Sequence, residues 1–160
     1  MAMDSFSASL MADKREIIFA PTVYKFQTFA QMAEEFQLNE RDVVLTNEFI
    51  YTPFMKERGL KCSFVFQEKF GAGEPSEAMI QTMYDAIPYD SYDRVIAVGG
   101  GAIMDLCKLL GCKRPDSVHE LYYKRFPVVH EKDVIAIPTT CGTGSECTNI
   151  SVAIVKTEID

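Results

Sequence analysis

The stretch RVIAVGGGAIMDLCKLL, residues Arg94 to Leu110, decides the fold. It passes from a continuously apolar run, through three successive glycines, into a segment whose apolar residues recur at helical spacing. A buried strand, a glycine junction and an amphipathic helix in that order form the opening half of a β-α-β unit. Glycines at such a junction let the backbone approach an anion, and the helix start aims N–H groups and partial positive charge at it. Gly99, Gly100 and Gly101 hold that position. Their spacing is not G-x-G-x-x-G, so the dinucleotide fingerprint is not met. Taken alone, the triplet fits an anion cradle or a plain tight turn.

In the helix that follows, Ile103, Leu106, Cys107 and Leu110 predict a core-facing stripe, while Asp105 and Lys108, three apart, share another side. The pair reads either as an ordinary ion pair or as a carboxylate that orders the glycine loop by accepting N–H bonds near the helix start.

Working outward, short β-rich runs alternate with helical patterns: EIIFA, TFAQMAEEF, VVLT, NEFIYTPFMKERG, CSFVFQ, SEAMIQTMYDAI, then SVHELYY and DVIAIP beyond the glycine helix. Such alternation predicts parallel strands joined by crossover helices. VVLT and VIAVG are runs of apolar residues rather than an alternation, as expected of strands covered on both faces. The predicted fold is a Rossmann-like three-layer α/β domain with a mainly parallel sheet. Thr28 with Gln31, and Ser117 with Glu120, match the capping box, and Ser76 reads as a further N-cap. Residues 1–13, MAMDSFSASLMAD, read as a disordered leader or extension, and residues 14–160 as the dinucleotide-binding domain. The closing ISVAIVKTEID is a strand-like run with a charged turn, and the chain reads as cut before a further domain.

With 160 residues, 48% of them hydrophobic and 24% charged, the composition is that of a globular domain with a sizeable core. Sixteen basic residues against 23 acidic ones give a net charge of −7, and no basic cluster exists to neutralise phosphates, which excludes a nucleic-acid partner. No apolar run reaches the roughly 20 residues a membrane span needs, and no signal-peptide pattern opens the chain. Five cysteines, an odd count without a C-x-x-C pair, predict reduced thiols and a cytoplasmic location.

The second chemical segment is VIAIPTTCGTGSECTNIS, Val134 to Ser151. After an apolar strand, Thr139, Thr140, Thr143 and Ser145 place small hydroxyls on a glycine-interrupted backbone. That suits ribose and amide groups, and also suits a solvent-facing turn. Two such loops after two apolar strands point to nucleotide contacts at the carboxyl edge of one sheet. Asn47, after VVLT, reads as a ribose contact or as the cap of the next helix. Cys141 or Ser145 as a nucleophile would need a base, and His119 and His130 are the only histidines, with no spacing that brings them near or makes a metal site.

At GGGAIMDLCK and PTTCGTGSE the chain resembles the N-terminal half of the iron-containing (group III) alcohol dehydrogenases, whose motifs are similar to GGG-small-x-x-D-x-x-K and P-T-T-x-G-T-G-S-E. The similarity runs from about Lys14 to the end. LTNEFIYTPFMK, QEKFGAGEPS and PTTCGTGSECTNIS look most like the 4-hydroxybutyrate dehydrogenases, which interconvert 4-hydroxybutyrate and succinate semialdehyde. The resemblance implies that Gly100, Gly101 and Ala102 cradle the NAD pyrophosphate, with Gly99 beside them and Asp105 shaping the loop. It implies that Thr139, Thr140 and Thr143 line the adenosine and ribose side. Asn47 stands where relatives often carry an acid that repels the 2′-phosphate of NADP, so NADP stays open. Glu74 replaces a neutral amide and Cys141 a usual alanine. Relatives hold Fe2+ or Zn2+ with one Asp and three His of a helical second domain, so the metal is expected only in a full-length enzyme acting on a small alcohol or aldehyde. This chain alone is expected to be inactive and, with one cleft face uncovered, to self-associate as a homodimer. Glycerol dehydrogenase and dehydroquinate synthase relatives share the triplet, and a noncatalytic nucleotide-binding module is the remaining alternative.

Overall fold

The computed structural model of the chain describes residues 21–156. The leader at 1–13, the run EIIFA and the last four residues lie outside the described residues. Four parallel strands, β1 (Asp42–Thr46), β2 (Ser63–Phe66), β3 (Arg94–Gly99) and β4 (Asp133–Pro138), form one sheet in the order β2-β1-β3-β4. Helices α1 (Phe29–Glu35), α2 (Glu48–Phe54), α3 (Glu77–Ala86), α4 (Gly101–Gly111) and α5 (Val118–Tyr122) accompany them.

Strand side chains alternate between two cores, because successive Cβ atoms leave opposite faces. Val43, Leu45, Val95 and Ala97 pack with Met79, Ile80 and Met83 of α3 and with the α4 stripe. Val44, Ile96 and Val98 pack on the other face with Met32, Ile50 and Met55. The three-layer arrangement read from the sequence is therefore the one formed. The predicted stripe of α4 is buried throughout, Ile103 and Leu106 at 1% exposure and Cys107 and Leu110 at 0%. Each such side chain contributes about 1.5–3 kcal/mol by leaving water.

Both cores are closed by the central strands, whereas DVIAIP, apolar in its middle, is half-buried. The reason is position: β4 is an edge strand among the described residues. The run ISVAIV joins no sheet strand and makes a single parallel bridge, Ser76 to Ile154.

Helix starts follow their caps in two cases of three. Thr28 Oγ1 accepts from the Gln31 N–H at 3.2 Å, and Ser76 Oγ accepts from the Met79 N–H at 3.3 Å. The returning Gln31 side chain reaches the Gln27 N–H at 2.9 Å, one residue earlier than a capping box requires. Ser117 makes no side-chain cap bond. Gln81 of the neighbouring α3 accepts from the Val118 N–H at 3.0 Å and satisfies that end instead.

The amino-terminal end of the sheet is closed by charge. Arg94 Nε and Nη2 grip both oxygens of the buried Asp42 at 2.7 and 2.8 Å, directly across the β1-β3 register. The last carbonyls of α4 are met by tyrosines: Tyr84 donates to Leu109 O at 3.0 Å and Tyr92 to Leu110 O at 2.9 Å.

Candidate functional site

The chain leaves β1 for β2 on one side and β3 for β4 on the other, so the strand order reverses between β1 and β3. Neighbouring connections diverge there and open a crevice at the carboxyl ends of the strands, the usual ligand position in open α/β sheets. A cleft of about 1090 Å³ lies at that point. Asn47 after β1, Gly100, Gly101 and Ala102 after β3, and Thr139 and Thr140 after β4 all line it. Six of the nine residues singled out in the sequence thus share one cavity.

The other three stand behind it. Gly99 is buried, and a Cβ on it would lie 2.5 Å from Ile103 Cγ1, so this glycine serves the close packing of α4 on β3. Gly100 and Gly101 differ: a Cβ would meet Thr140 Oγ1 at 3.2 Å and Thr143 Cγ2 at 3.1 Å. A side chain at either position would push the neighbouring threonine back by a few tenths of an ångström. Thr143 packs on Gly101 from behind the cleft, and its Oγ1 accepts from the Ser145 N–H at 3.3 Å. Gly101, Ala102 and Ile103 occupy the first turn of α4, where N–H groups lack intrahelical acceptors. All three line the cleft.

Asp105 joins the two loops by a route not read from the sequence. Its Oδ1 accepts from Ser145 Oγ at 2.6 Å and Lys108 Nζ at 3.3 Å, and its Oδ2 from the Val152 N–H at 3.1 Å. Lys108 Nζ also donates to Ser145 Oγ at 2.7 Å and to Ile150 O at 2.6 Å. The pair is thus more than a local i,i+3 contact, and its bonds run to the threonine-glycine segment rather than to the glycine loop. Helix α4 thereby carries the first loop at its start and clamps the second one a turn later. The spacing of Asp105 and Lys108 was legible; their partners, some 40 residues away, were not.

Asn47 stands at the N-cap position of α2 without a side-chain cap bond. Its Nδ2 donates instead to Glu68 Oε1 at 3.0 Å, and the same oxygen accepts from the Glu48 N–H at 3.1 Å. Sequence reading also missed that Tyr24, Phe26, Thr28, Phe49 and Gln67 line the cleft. Apart from the Thr28 cap these residues carry no motif, and only folding brings them to the same cavity as the glycines. Among the described residues no group of three His, Cys, Asp or Glu could hold a metal ion. His119 Nδ1 lies 3.3 Å from Glu77, on the α3-α5 side.

The sequence profile of iron-containing alcohol dehydrogenases matches residues 20–159. The chain belongs to the iron-containing alcohol dehydrogenase family. It is 46% identical over 137 residues to the 4-hydroxybutyrate dehydrogenase of Clostridium kluyveri, covering 86% of this chain and 37% of that protein. It is 37% identical over 87 residues to the mitochondrial hydroxyacid-oxoacid transhydrogenase of Rattus norvegicus, covering 49% of this chain and 19% of that one. Its fold is similar to that of an iron-containing alcohol dehydrogenase from Thermotoga maritima, with a TM-score of 0.62 and 24% identity over 83% of this chain and 42% of that one. It is also similar to the sulfoacetaldehyde reductase of Bifidobacterium kashiwanohense in complex with NAD+, with a TM-score of 0.59 and 21% identity over 84% and 46% of the two chains. The chain therefore spans less than half the length of these relatives. No helix among the described residues is long and apolar enough to cross a membrane.

Proposed function

We propose that residues 14–160 are the dinucleotide-binding domain of an NAD(P)-dependent alcohol dehydrogenase that interconverts 4-hydroxybutyrate and succinate semialdehyde. The observation that carries the reading is the cleft at the strand-order reversal, where side chains at positions 100 and 101 would fill the approach between the two loops. The residues present fit a dinucleotide. The first-turn N–H groups of Gly101, Ala102 and Ile103 would take the pyrophosphate, and the Thr139 and Thr140 hydroxyls the ribose side. When bound, the nicotinamide accepts or donates the hydride. The chain's own contribution is to hold the cofactor at the sheet edge, with Asp105 and Lys108 fixing one loop to the helix that carries the other.

The divalent metal of the family does not fit the described residues, which offer no donor set for it. Its Fe2+ or Zn2+ ligands would belong to a further domain of the full-length enzyme. The isolated chain is accordingly proposed to bind cofactor without turning over the alcohol. Five free cysteines support a cytoplasmic enzyme. Exposed Ile150, Val152 and Ile154 support association into a homodimer.

The substrate reading leans on the 46% identity with the clostridial enzyme. The cofactor reading is tested by calorimetric titration of NADH into the folded chain and into Gly100→Asp. The variant sets a carboxylate and its bulk between Gly100 and Thr140, and is expected to weaken binding by about tenfold or more through charge repulsion with the pyrophosphate. Equal binding by the variant would overturn the loop assignment.

A further inference from the structure

Because β1 and β3 are neighbours, with Thr46 across from Val98, position 47 follows the strand next to the one that carries the glycines. In doubly wound sheets an acid at the end of the neighbouring strand accepts a hydrogen bond from the adenosine ribose 2′-hydroxyl and repels a 2′-phosphate. Here that position holds an amide, Asn47, which lines the cleft.

The missing charge arrives from the next strand. Glu68, in the turn Gln67–Lys69 after β2, accepts from Asn47 Nδ2 at 3.0 Å and from the Glu48 N–H at 3.1 Å, both on Oε1. Two consequences follow. The bond engages the amide nitrogen, which leaves the amide oxygen, an acceptor, for a hydroxyl. It also sets a formal negative charge one hydrogen bond from that amide. A 2′-hydroxyl can donate to such a pair; a 2′-phosphate, dianionic and rich in acceptors, meets an acceptor backed by a carboxylate. Lys25 and Arg58 also line the cleft and favour phosphate, but they come from the segment before α1 and the turn after α2, and the Asn47 amide is bonded to Glu68. Lys69, beside Glu68, lies over the Phe66 ring at 5.3 Å.

We propose that Glu68, acting through Asn47, selects NAD(H) over NADP(H), as a positioning residue for the 2′ end of the adenosine ribose. The proposal rests on the cofactor reading above. Together Asn47 and Glu68 do what a single aspartate does elsewhere, with the oxygen and the charge supplied by separate strands.

The test titrates NADH and NADPH separately into the 160-residue chain and follows nucleotide fluorescence at low and moderate salt. Wild type is expected to prefer NADH. Glu68→Gln keeps an acceptor oxygen of the same reach and removes the charge. It should shift the affinity ratio toward NADPH by about three- to tenfold at low salt, and less as salt screens the charge. Asn47→Asp added to Glu68→Gln returns the charge at the neighbouring position and should restore the preference. If NADH binds and Glu68→Gln leaves the ratio unchanged, or weakens both nucleotides equally, the selectivity proposal falls while the cofactor reading stands. If folded wild type binds neither nucleotide, the cofactor reading falls and this proposal with it.

Discussion

At the amino-terminal end of the sheet, polar groups are paired with one another; at the carboxyl end several of those that line the cleft are left for something else. Asp42 is almost fully buried and is met by both nitrogens of an arginine fork, with the Asn39 N–H adding a third bond at 2.7 Å. Lys132 Nζ joins that end by donating to the carbonyls of Tyr89 and Tyr92 at 2.7 and 2.6 Å. Across the sheet, the first-turn N–H groups of α4 and the hydroxyls of Thr139 and Thr140 open on a cleft. Buried charges hold a fold only when each has its partner, whereas a binding site needs groups whose partner is the ligand. The two ends should therefore answer differently to mutation.

The largest effect is expected from Arg94→Met. It leaves the Asp42 carboxylate buried without its cation, which should cost about 3–5 kcal/mol in a urea titration, while NADH affinity of the folded fraction stays unchanged. A loss under about 1 kcal/mol would place the structural weight elsewhere. Lys108→Met removes the ammonium that joins Asp105, Ser145 and the Ile150 carbonyl. It should cost about 1.5–3 kcal/mol and, unlike Arg94→Met, also weaken NADH binding, because the second loop loses its hold on α4. Unchanged NADH affinity in that variant would mean that the strut serves stability alone.

The smallest effect separates the thiols at the two ends. Cys62 lies just before β2, near the amino-terminal end, and burial pushes its thiol up from 9.0 to about 11. An acid whose folded pKa is raised stays neutral in the native state while the unfolded chain loses its proton first. Stability should therefore fall by about 1–2 kcal/mol as pH rises from about 9 toward 11, and Cys62→Ala should flatten that slope. Iodoacetamide at pH 8 should modify Cys141 and Cys147, the exposed pair, and spare Cys62, Cys107 and Cys112, as read by intact mass. Labelling of a buried cysteine at the same rate would contradict the placement.

Much of this was legible before folding. VVLT and VIAVG announced strands covered on both faces, and the α4 stripe named four core residues correctly, because periodicity of 2 and 3.6 is a property of the chain alone. The two glycine-bearing loops were read as neighbours at one sheet edge, and six of the residues singled out do line one cleft. What failed to be legible required a partner distant in sequence. Ser117 carries the right residue for a cap, yet it makes no side-chain cap bond, and the first N–H of that helix is met by Gln81, 37 residues away. The three glycines look equivalent in a string. Only the position of Ile103 under Gly99, and of Thr140 and Thr143 beside Gly100 and Gly101, separates a packing glycine from two that keep the loops in contact.

By itself the sequence determined the alternation of strand and helix, the location of both loops and the acidic character of the chain, because these depend on local pattern and on composition. The tertiary structure decided which strands became neighbours, and hence where the crevice opens. It also decided that Asp105 and Lys108 tie one loop to the helix bearing the other, and that Glu68 stands behind Asn47. The physical reason is common to all three. A hydrogen bond or an ion pair acts over a few ångströms, and only the completed sheet brings residues tens of positions apart within that range.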